Sequence, residues 1–311
     1  MTSRKRSKQG RDHQFGGDWT TRKLDVIAAY LQGYTTALKA KPTPDNPFRK
    51  AYIDAFAGTG YRDARRADMS SSSQDPLFPE LEEAEPQALL EGSARRALRT
   101  DPPFDSYIFI EQSPARCQHL QDLKSEFPDL ADRIDVRQGN ANQQIQSLCA
   151  AGKNWSAHRA VLFLDPYGMQ VEWSTIEAVA STKAIDLWLL FPLGIGVNRL
   201  LTRSGDIPDP WRHRLNLLLG TEDWYDEFYR VETSVDIFGK PHEQPIKERT
   251  EVMGRYFNDR LKTVFAGVAD PPGVLRNSTN NPLYLLCFAV GNVRGKDVAL
   301  RIADHLLKGI R

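Results

Sequence analysis

Residues 51–60 read AYIDAFAGTG, a short apolar run that ends in a carboxylate and passes directly into a glycine-rich turn. The run predicts a buried strand, and the glycines allow the backbone to turn sharply and to approach a ligand closely. The third glycine of a dinucleotide fingerprint is missing, and no Walker lysine follows. The stretch therefore predicts a strand and turn with a ligand at their junction.

Four further apolar runs follow the same plan, and each leads into a helical segment: 106–111, 133–139, 159–165 and 184–192. Strands that alternate with helices at this spacing predict βαβ units. We therefore expect an α/β fold with a doubly wound, mostly parallel sheet and helices on both faces. The carboxyl ends of parallel strands share one edge, where ligands bind in such sheets.

The predicted organisation places a basic, disordered arm at 1–18 and a Rossmann-like core at 19–193. The core opens with an amphipathic helix at 19–39 and carries a mobile insertion at 62–91, which is rich in Ser, Pro and Glu. Residues 194–262 read as a helical insertion subdomain. Residues 263–311, with a strand at 281–292 and an amphipathic helix, are predicted to complete the core.

Composition favours a cytoplasmic enzyme. The chain has 311 residues, 41% hydrophobic and 26% charged, with a net charge of +1. No apolar run reaches the roughly 18 residues of a membrane span, and no secretory signal follows the basic start. The three cysteines form no CxxC pair, so neither a metal site nor a disulfide framework is predicted, which fits a reducing compartment.

Carboxylates, an amide and glycines follow the first three strands and suit a nucleoside cofactor. Asp54 can accept a hydrogen bond from a ligand ammonium, and Glu111 can accept both ribose hydroxyls. Asp54–Gly60 has the D-x-F-x-G-x-G form of methyltransferase cofactor loops, and Asn140 stands where these enzymes place a polar residue against adenine. Ordinary turns and helix caps are the structural alternatives. The predicted cofactor-binding residues are Asp54, Phe56, Gly58, Gly60, Glu111, Gly139 and Asn140.

The segment after the fourth strand, Asp165-Pro166-Tyr167-Gly168, predicts a catalytic site. A carboxylate and a main-chain carbonyl that accept the N–H bonds of an exocyclic amine would stabilise the charge that develops on nitrogen. A tyrosine face would stack on a flipped-out base. Asp165, Pro166 and Tyr167 are the predicted catalytic residues, and Gly168 and Arg199 the predicted substrate-binding residues. Amino-methyltransferases usually have D/N-P-P-Y/F, and here the second proline is missing.

Several motifs together resemble the bacterial three-Cys-motif partner protein family (TcmP), from residue 19 to the C-terminal helix. The resemblance implies a Rossmann-like S-adenosylmethionine-dependent methyltransferase fold. It also implies a partner, similar to radical-S-adenosylmethionine proteins, that carries the three-cysteine motif. The DPYG segment is also similar to the DPFG motif of tRNA guanine-N2 dimethyltransferases, which implies an amino-group target. The motifs are Trp19–Leu24 (WTTRKL), 52–60 (YIDAFAGTG), 92–94 (GSA), 109–113 (FIEQS), 139–142 (GNAN), 163–173 (FLDPYGMQVEW), 186–192 (DLWLLFP) and Asn198-Arg199-Leu200.

These observations lead to a predicted S-adenosylmethionine-dependent methyltransferase that acts on an exocyclic amino group of a DNA or RNA base. The alternative is a non-catalytic, methyltransferase-like module that binds the three-Cys-motif protein in a DNA- or RNA-modification or mobile-element system. A third hypothesis is a nuclease in which Asp54, Glu111 and Asp165 hold a divalent metal. Neither the methyl acceptor nor the oligomeric state follows from the sequence.

Overall fold

The computed structural model describes residues 18–40, 43, 48–57, 92–150, 154–235, 238 and 240–311. Residues 1–17 of the predicted basic arm, the predicted insertion at 62–91, and Gly58 and Gly60 lie outside the described residues. The first described residue, Asp18, begins helix α1, Asp18–Ala37.

Five parallel strands form the centre of the sheet, in the order β3-β2-β1-β4-β5. Each matches one predicted apolar run to within two residues, which confirms the predicted α/β fold with a doubly wound, mostly parallel sheet. Strands β4 and β5 are buried almost throughout because helices cover both faces of the sheet. The bounds are β1 Arg49–Asp54, β2 Ser106–Glu111, β3 Ile134–Gln138, β4 His158–Leu164 and β5 Ile185–Phe191.

The C-terminal part of the chain extends the sheet beyond β5. Strand β10, Pro282–Val290, runs antiparallel to β5. Two short strands, β8 at Gly267–Val268 and β9 at Gly273–Arg276, pair with the other edge of β10. The last segment therefore joins the same sheet as the N-terminal half.

Helices cover the two faces of the sheet as two layers. One layer, with α1, α2, α3 and α10, packs its apolar side chains on one face, and α4, α5, α7, α8 and α9 pack on the other. The layers form because each helix presents an apolar stripe to the sheet. The bounds are α2 Ser93–Leu98, α3 Pro114–Glu126, α4 Ala141–Cys149, α5 Trp173–Ser181, α6 Asn198–Leu200, α7 Asp209–Leu219, α8 Trp224–Phe228, α9 Thr250–Val264 and α10 Lys296–Leu307.

The predicted helical insertion at 194–262 is helical only in part. The segment contains a π-helix at Leu193–Val197 and the helices α6 to α9. Between α8 and α9, however, β6 (Tyr229–Val235) and β7 (Pro241–Lys247) form an antiparallel hairpin. Proline at 241 and 245 disfavours a helix, and β-branched residues in β6 favour a strand. The helical interpretation of 229–247 is therefore wrong.

The insertion contributes to the main core. Trp224 and Phe228 of α8 and Phe257 of α9 are fully buried in the same apolar cluster as the inner face of β4 and β5. Phe257 stacks on Phe191, with ring centroids 3.9 Å apart. The segment therefore stiffens the sheet at the end of β5.

Helix α1 is fixed to the sheet by a buried hydrogen bond as well as by apolar packing. The Tyr30 hydroxyl donates to Asp186 Oδ2 on β5 over 2.9 Å, and the Gly291 N–H donates to Asp186 Oδ1 over 3.3 Å. Burial raises the pKa of Asp186 to about 7, against the opposing effect of these two hydrogen bonds.

Stability should therefore depend on the charge of Asp186. Because the folded-state pKa is raised, the contribution of Asp186 to stability is fully present below the ordinary value of 3.8 and is lost as pH rises to about 7. In Asp186→Asn the amide oxygen can accept from the Gly291 N–H and the amide NH2 can donate to the Tyr30 hydroxyl, so we expect a higher melting temperature than that of the wild type. The difference in melting temperature between the variant and the wild type should grow by about 2–4 °C or more from pH 5 to pH 8. Thermal denaturation at both pH values checks this, and a gap that is independent of pH would contradict it.

None of the helices within the described ranges is both long enough and apolar enough to cross a membrane.

Candidate functional site

The strand ends are held together by main-chain hydrogen bonds at one edge of the sheet. The Ala55 N–H donates to Phe163 O over 3.2 Å and joins the end of β1 to the end of β4. The Gly139 N–H donates to Glu111 O over 3.0 Å and joins the ends of β2 and β3. The predicted residues Asp54, Glu111 and Asp165 therefore lie along the same edge, as parallel strands require.

Asp54, the last residue of β1, is fully buried. Its Oδ2 accepts a 3.2 Å hydrogen bond from the Tyr52 hydroxyl, whereas its Oδ1 has no hydrogen-bond partner among the described residues. Burial raises the pKa of Asp54 to about 7, and the nearby charge of Asp165 adds to the rise. An unsatisfied buried carboxylate oxygen is unfavourable, so a donor is expected at Oδ1.

Asp165 is held by a lysine that sequence reasoning does not single out as functional. The Lys23 ammonium of α1 lies 2.5 Å from Asp165 Oδ2 and 5.2 Å from the centroid of the Trp19 ring. The Lys23 side chain is 1% exposed, whereas that of Asp165 is 17% exposed. A signal was present, because Lys23 shares the apolar face of α1 at helical spacing with Ile27 and Tyr30.

The segment after Asp165 turns outward. Pro166 is buried, and the Tyr167 side chain is 36% exposed, so part of its ring surface is accessible. Gly168 has φ +61°, a left-handed conformation that favours glycine, and open space surrounds its Cα. The glycine in place of a second proline therefore serves the backbone turn that carries Tyr167 to the surface.

Glu111, the last residue of β2, is buried and ordered by its neighbours. Its Oε1 accepts a hydrogen bond from the Ser113 N–H over 2.7 Å and lies 3.5 Å from Arg116 Nη1. These contacts fix the orientation of the carboxylate at the start of α3. A ligand hydroxyl would meet a preoriented acceptor at this position.

The turn after β3 separates two asparagines with different surroundings. Gly139 has φ +149°, which a side chain would strain, and Asn140 caps α4 by accepting from the Gln143 N–H over 3.2 Å. The buried Asn142 donates to Gln170 O over 2.8 Å and accepts from the Thr175 hydroxyl over 2.9 Å. Asn142 therefore ties α4 to the loop that follows Tyr167.

Arg199 is exposed on α6, just beyond the end of β5. The base of the hairpin holds this segment, because the Lys247 ammonium donates to Asn198 O over 2.5 Å and to Leu201 O over 2.7 Å. Burial lowers the pKa of Lys247, and the nearby charge of Arg203 adds to the effect. The predicted substrate-binding arginine is thus near the same edge of the sheet as Asp165.

A metal site would need several ligands at one point. Over the part of the chain that the structure describes, no three His, Cys, Asp or Glu side chains lie close enough together to hold a metal ion. Asp54, Glu111 and Asp165, which the nuclease hypothesis brings together, do not form such a group.

No protein-family model matches the chain. No curated protein matches it either.

Solved structures share only a distant likeness with the chain. A DUF519 protein from Legionella pneumophila is 11% identical over 92% of both chains, with a TM-score of 0.43. The candidate methyltransferase yhhF of Escherichia coli is 14% identical, covering 71% of this chain and 86% of its own, with a TM-score of 0.28. A spermidine synthase bound to the transition-state analogue AdoDATO is 11% identical, covering 89% and 62%, with a TM-score of 0.36.

Proposed function

We propose that the chain is an S-adenosylmethionine-dependent methyltransferase that modifies an exocyclic amino group of a nucleic-acid base. The unsatisfied Oδ1 of Asp54 carries the proposal, because it is a buried acceptor at the carboxyl end of the central strand. A ligand ammonium is the kind of donor that this oxygen lacks, and the cofactor has one on its amino-acid portion. The residues present therefore fit this cofactor.

The neighbouring strand ends fit the rest of the cofactor. Glu111 is a preoriented acceptor for the ribose hydroxyls, and Asn140 and Gly139 would lie against the adenine. Phe56, which is partly buried, would pack beside the amino-acid portion. The roles of Gly58 and Gly60 stay predictions, since both lie outside the described residues.

The bound cofactor supplies an electrophilic methyl group on a sulfonium. With the cofactor held by Asp54, Glu111, Asn140 and Gly139, this methyl group would be available to the lone pair of the acceptor nitrogen. Asp165 accepts an N–H bond of the amine and stabilises the charge that develops on nitrogen. The proton that the nitrogen loses passes to this carboxylate and, through its exposed side, to solvent.

Tyr167 and Arg199 are the proposed contacts with the acceptor. The accessible ring of Tyr167 can stack on a base that has been turned out of its helix, with Pro166 fixing the turn before it and Gly168 the turn after it. Arg199 can contact a phosphate. We place the activity in the cytoplasm, where the buried free thiols of Cys117, Cys149 and Cys287 would stay reduced. The three-Cys-motif partner stays a prediction.

Calorimetric titration with S-adenosylmethionine and S-adenosylhomocysteine tests the cofactor proposal. We expect micromolar binding of both, since the ammonium and ribose contacts do not involve the transferred methyl group. Incubation with tritium-labelled cofactor and with unmodified DNA or RNA then tests the acceptor. A folded protein that binds neither compound would refute the cofactor proposal, and binding without transfer to any nucleic acid would refute the acceptor.

A further inference from the structure

Lys23 is a buried cation, and an oxygen of the proposed catalytic carboxylate is its one hydrogen-bond partner among the described residues. Its ammonium lies 2.5 Å from Asp165 Oδ2, and the two residues are 142 positions apart in the chain. Its side chain is 1% exposed. Taking an ammonium and a carboxylate out of water is expensive, and apolar residues of similar volume often stabilise a protein as well as such a pair does. The pair is therefore poorly explained as a stabilising device.

Other contacts suffice to dock α1. Leu24, Ile27 and Leu31 are buried against the sheet, and the Tyr30 hydroxyl binds Asp186 on β5. A further anchor through Lys23 is not needed for packing. The position of the pair at the exposed end of the site, beside Tyr167, points to the chemistry instead.

We infer that Lys23 is a positioning residue for methyl transfer: its ammonium holds Asp165 Oδ2 and leaves Oδ1 for the acceptor amine. This inference rests on the proposed function. Oδ1 makes no hydrogen bond with the residues that the structure describes, and the carboxylate is reached by solvent while the lysine is not. Lys23 itself touches neither the amine nor the cofactor.

The two rings beside the pair support this division of roles. The Lys23 ammonium lies 5.2 Å from the centroid of the Trp19 ring, which is partly buried. Tyr167 follows Asp165 and is accessible to an incoming base. Trp19 and Asp165 thus hold the lysine ammonium inside the protein, and the solvent-exposed part of the Asp165 carboxylate is left to the substrate.

Lys23→Met separates positioning from support of the fold. We expect kcat for methyl transfer to fall by about 10- to 100-fold, because a small displacement of a reacting group has effects of this size. Affinity for S-adenosylmethionine should stay equal or rise, since a positive charge is removed beside a cationic cofactor. If the substitution instead loosened α1, both kcat and the affinity for S-adenosylmethionine would fall. Lys23→Arg should restore part of kcat, because it restores the charge.

The measurement uses tritium-labelled S-adenosylmethionine with unmodified DNA and RNA, and calorimetry for cofactor affinity. Tyr30→Phe, which removes a buried polar contact between α1 and β5, is the matched control and should leave kcat unchanged. If Lys23→Met does not fold, Lys23→Gln keeps a donor without the charge and should show the same loss. If either neutral variant kept the wild-type kcat, the proposed role of Lys23 would be wrong, while the proposed function would stand. Absence of transfer by the wild type overturns the proposed function, and the role of Lys23 with it.

Discussion

Asp165→Asn should slow methyl transfer by at least about 100-fold, the effect usual for removing one electrostatic contact to a developing charge. The amide cannot take the proton that the amine loses, and it offers a weaker acceptor at Oδ1. Binding of S-adenosylmethionine should weaken far less, because Asp54 and Glu111 provide the proposed cofactor contacts. Initial rates at saturating cofactor and the dissociation constant give the two quantities.

A second substitution is needed to separate chemistry from stability. Asp165→Asn alone leaves the buried Lys23 ammonium without its carboxylate, which typically destabilises a protein by about 3–5 kcal/mol. The double variant Lys23→Met/Asp165→Asn removes both charges and keeps the net charge of the pair. We expect its melting temperature and cofactor affinity to approach those of the wild type while transfer stays absent.

Glu172→Gln is the matched control for Asp165→Asn. Glu172 lies in the same connection between β4 and α5, and its carboxylate accepts one hydrogen bond from the described residues, from the Ser174 hydroxyl over 3.4 Å. Its substitution should leave transfer unaffected. If the double variant retained wild-type turnover, Asp165 would have no catalytic role and the proposed acceptor site would be wrong.

Asp54→Asn should weaken binding of S-adenosylmethionine by about 10- to 100-fold at pH 8, as expected for the loss of a charged hydrogen bond. The wild type should itself lose affinity as pH falls, because burial raises the pKa of Asp54 to about 7 and only the ionised carboxylate favours the ammonium. At pH 6 about one carboxylate in ten is ionised, so binding should be about tenfold weaker than at pH 8. The variant should lack this dependence.

Asp186→Asn is a close control for Asp54→Asn, since burial also raises the pKa of Asp186 to about 7 and the residue faces α1 away from the strand ends. It should keep both the affinity and its pH dependence. Calorimetry at pH 6 and pH 8 in buffers of different ionisation enthalpy also counts the protons that binding releases. A wild-type affinity that does not change with pH would exclude Asp54 as the ammonium acceptor.

The strand ends could be predicted from the sequence because two simple signals coincide there. Apolar runs identify buried parallel strands, and the first polar residue after each run must lie at the shared edge. This reasoning placed Asp54, Glu111 and Asp165 correctly on the sheet. It also placed Asn140 at this edge. For this residue the sequence left open a contact with adenine and an ordinary helix cap, and the structure shows that Asn140 caps α4.

Two features could not be predicted, for different reasons. The residues around Lys23 predicted a helix, but they could not reveal the partner of Lys23. That partner, the Asp165 carboxylate, lies 142 positions away in the chain. The hairpin of β6 and β7 lacks the alternation of buried and exposed residues, since β6 is exposed from Arg230 onward.

The contacts that hold α1 on the sheet also determine when, during synthesis, the protein can finish folding. Lys23 and Tyr30 meet their partners 142 and 156 residues later in the chain. At ribosomal rates of about 5–20 residues per second, the helix waits roughly 7–30 s before Asp165 has been made. Strands β5 and β10, which belong to the same apolar cluster as Leu24, Ile27 and Leu31, have not been made during that time. The nascent chain therefore offers a binding site for a chaperone until β5 leaves the ribosome.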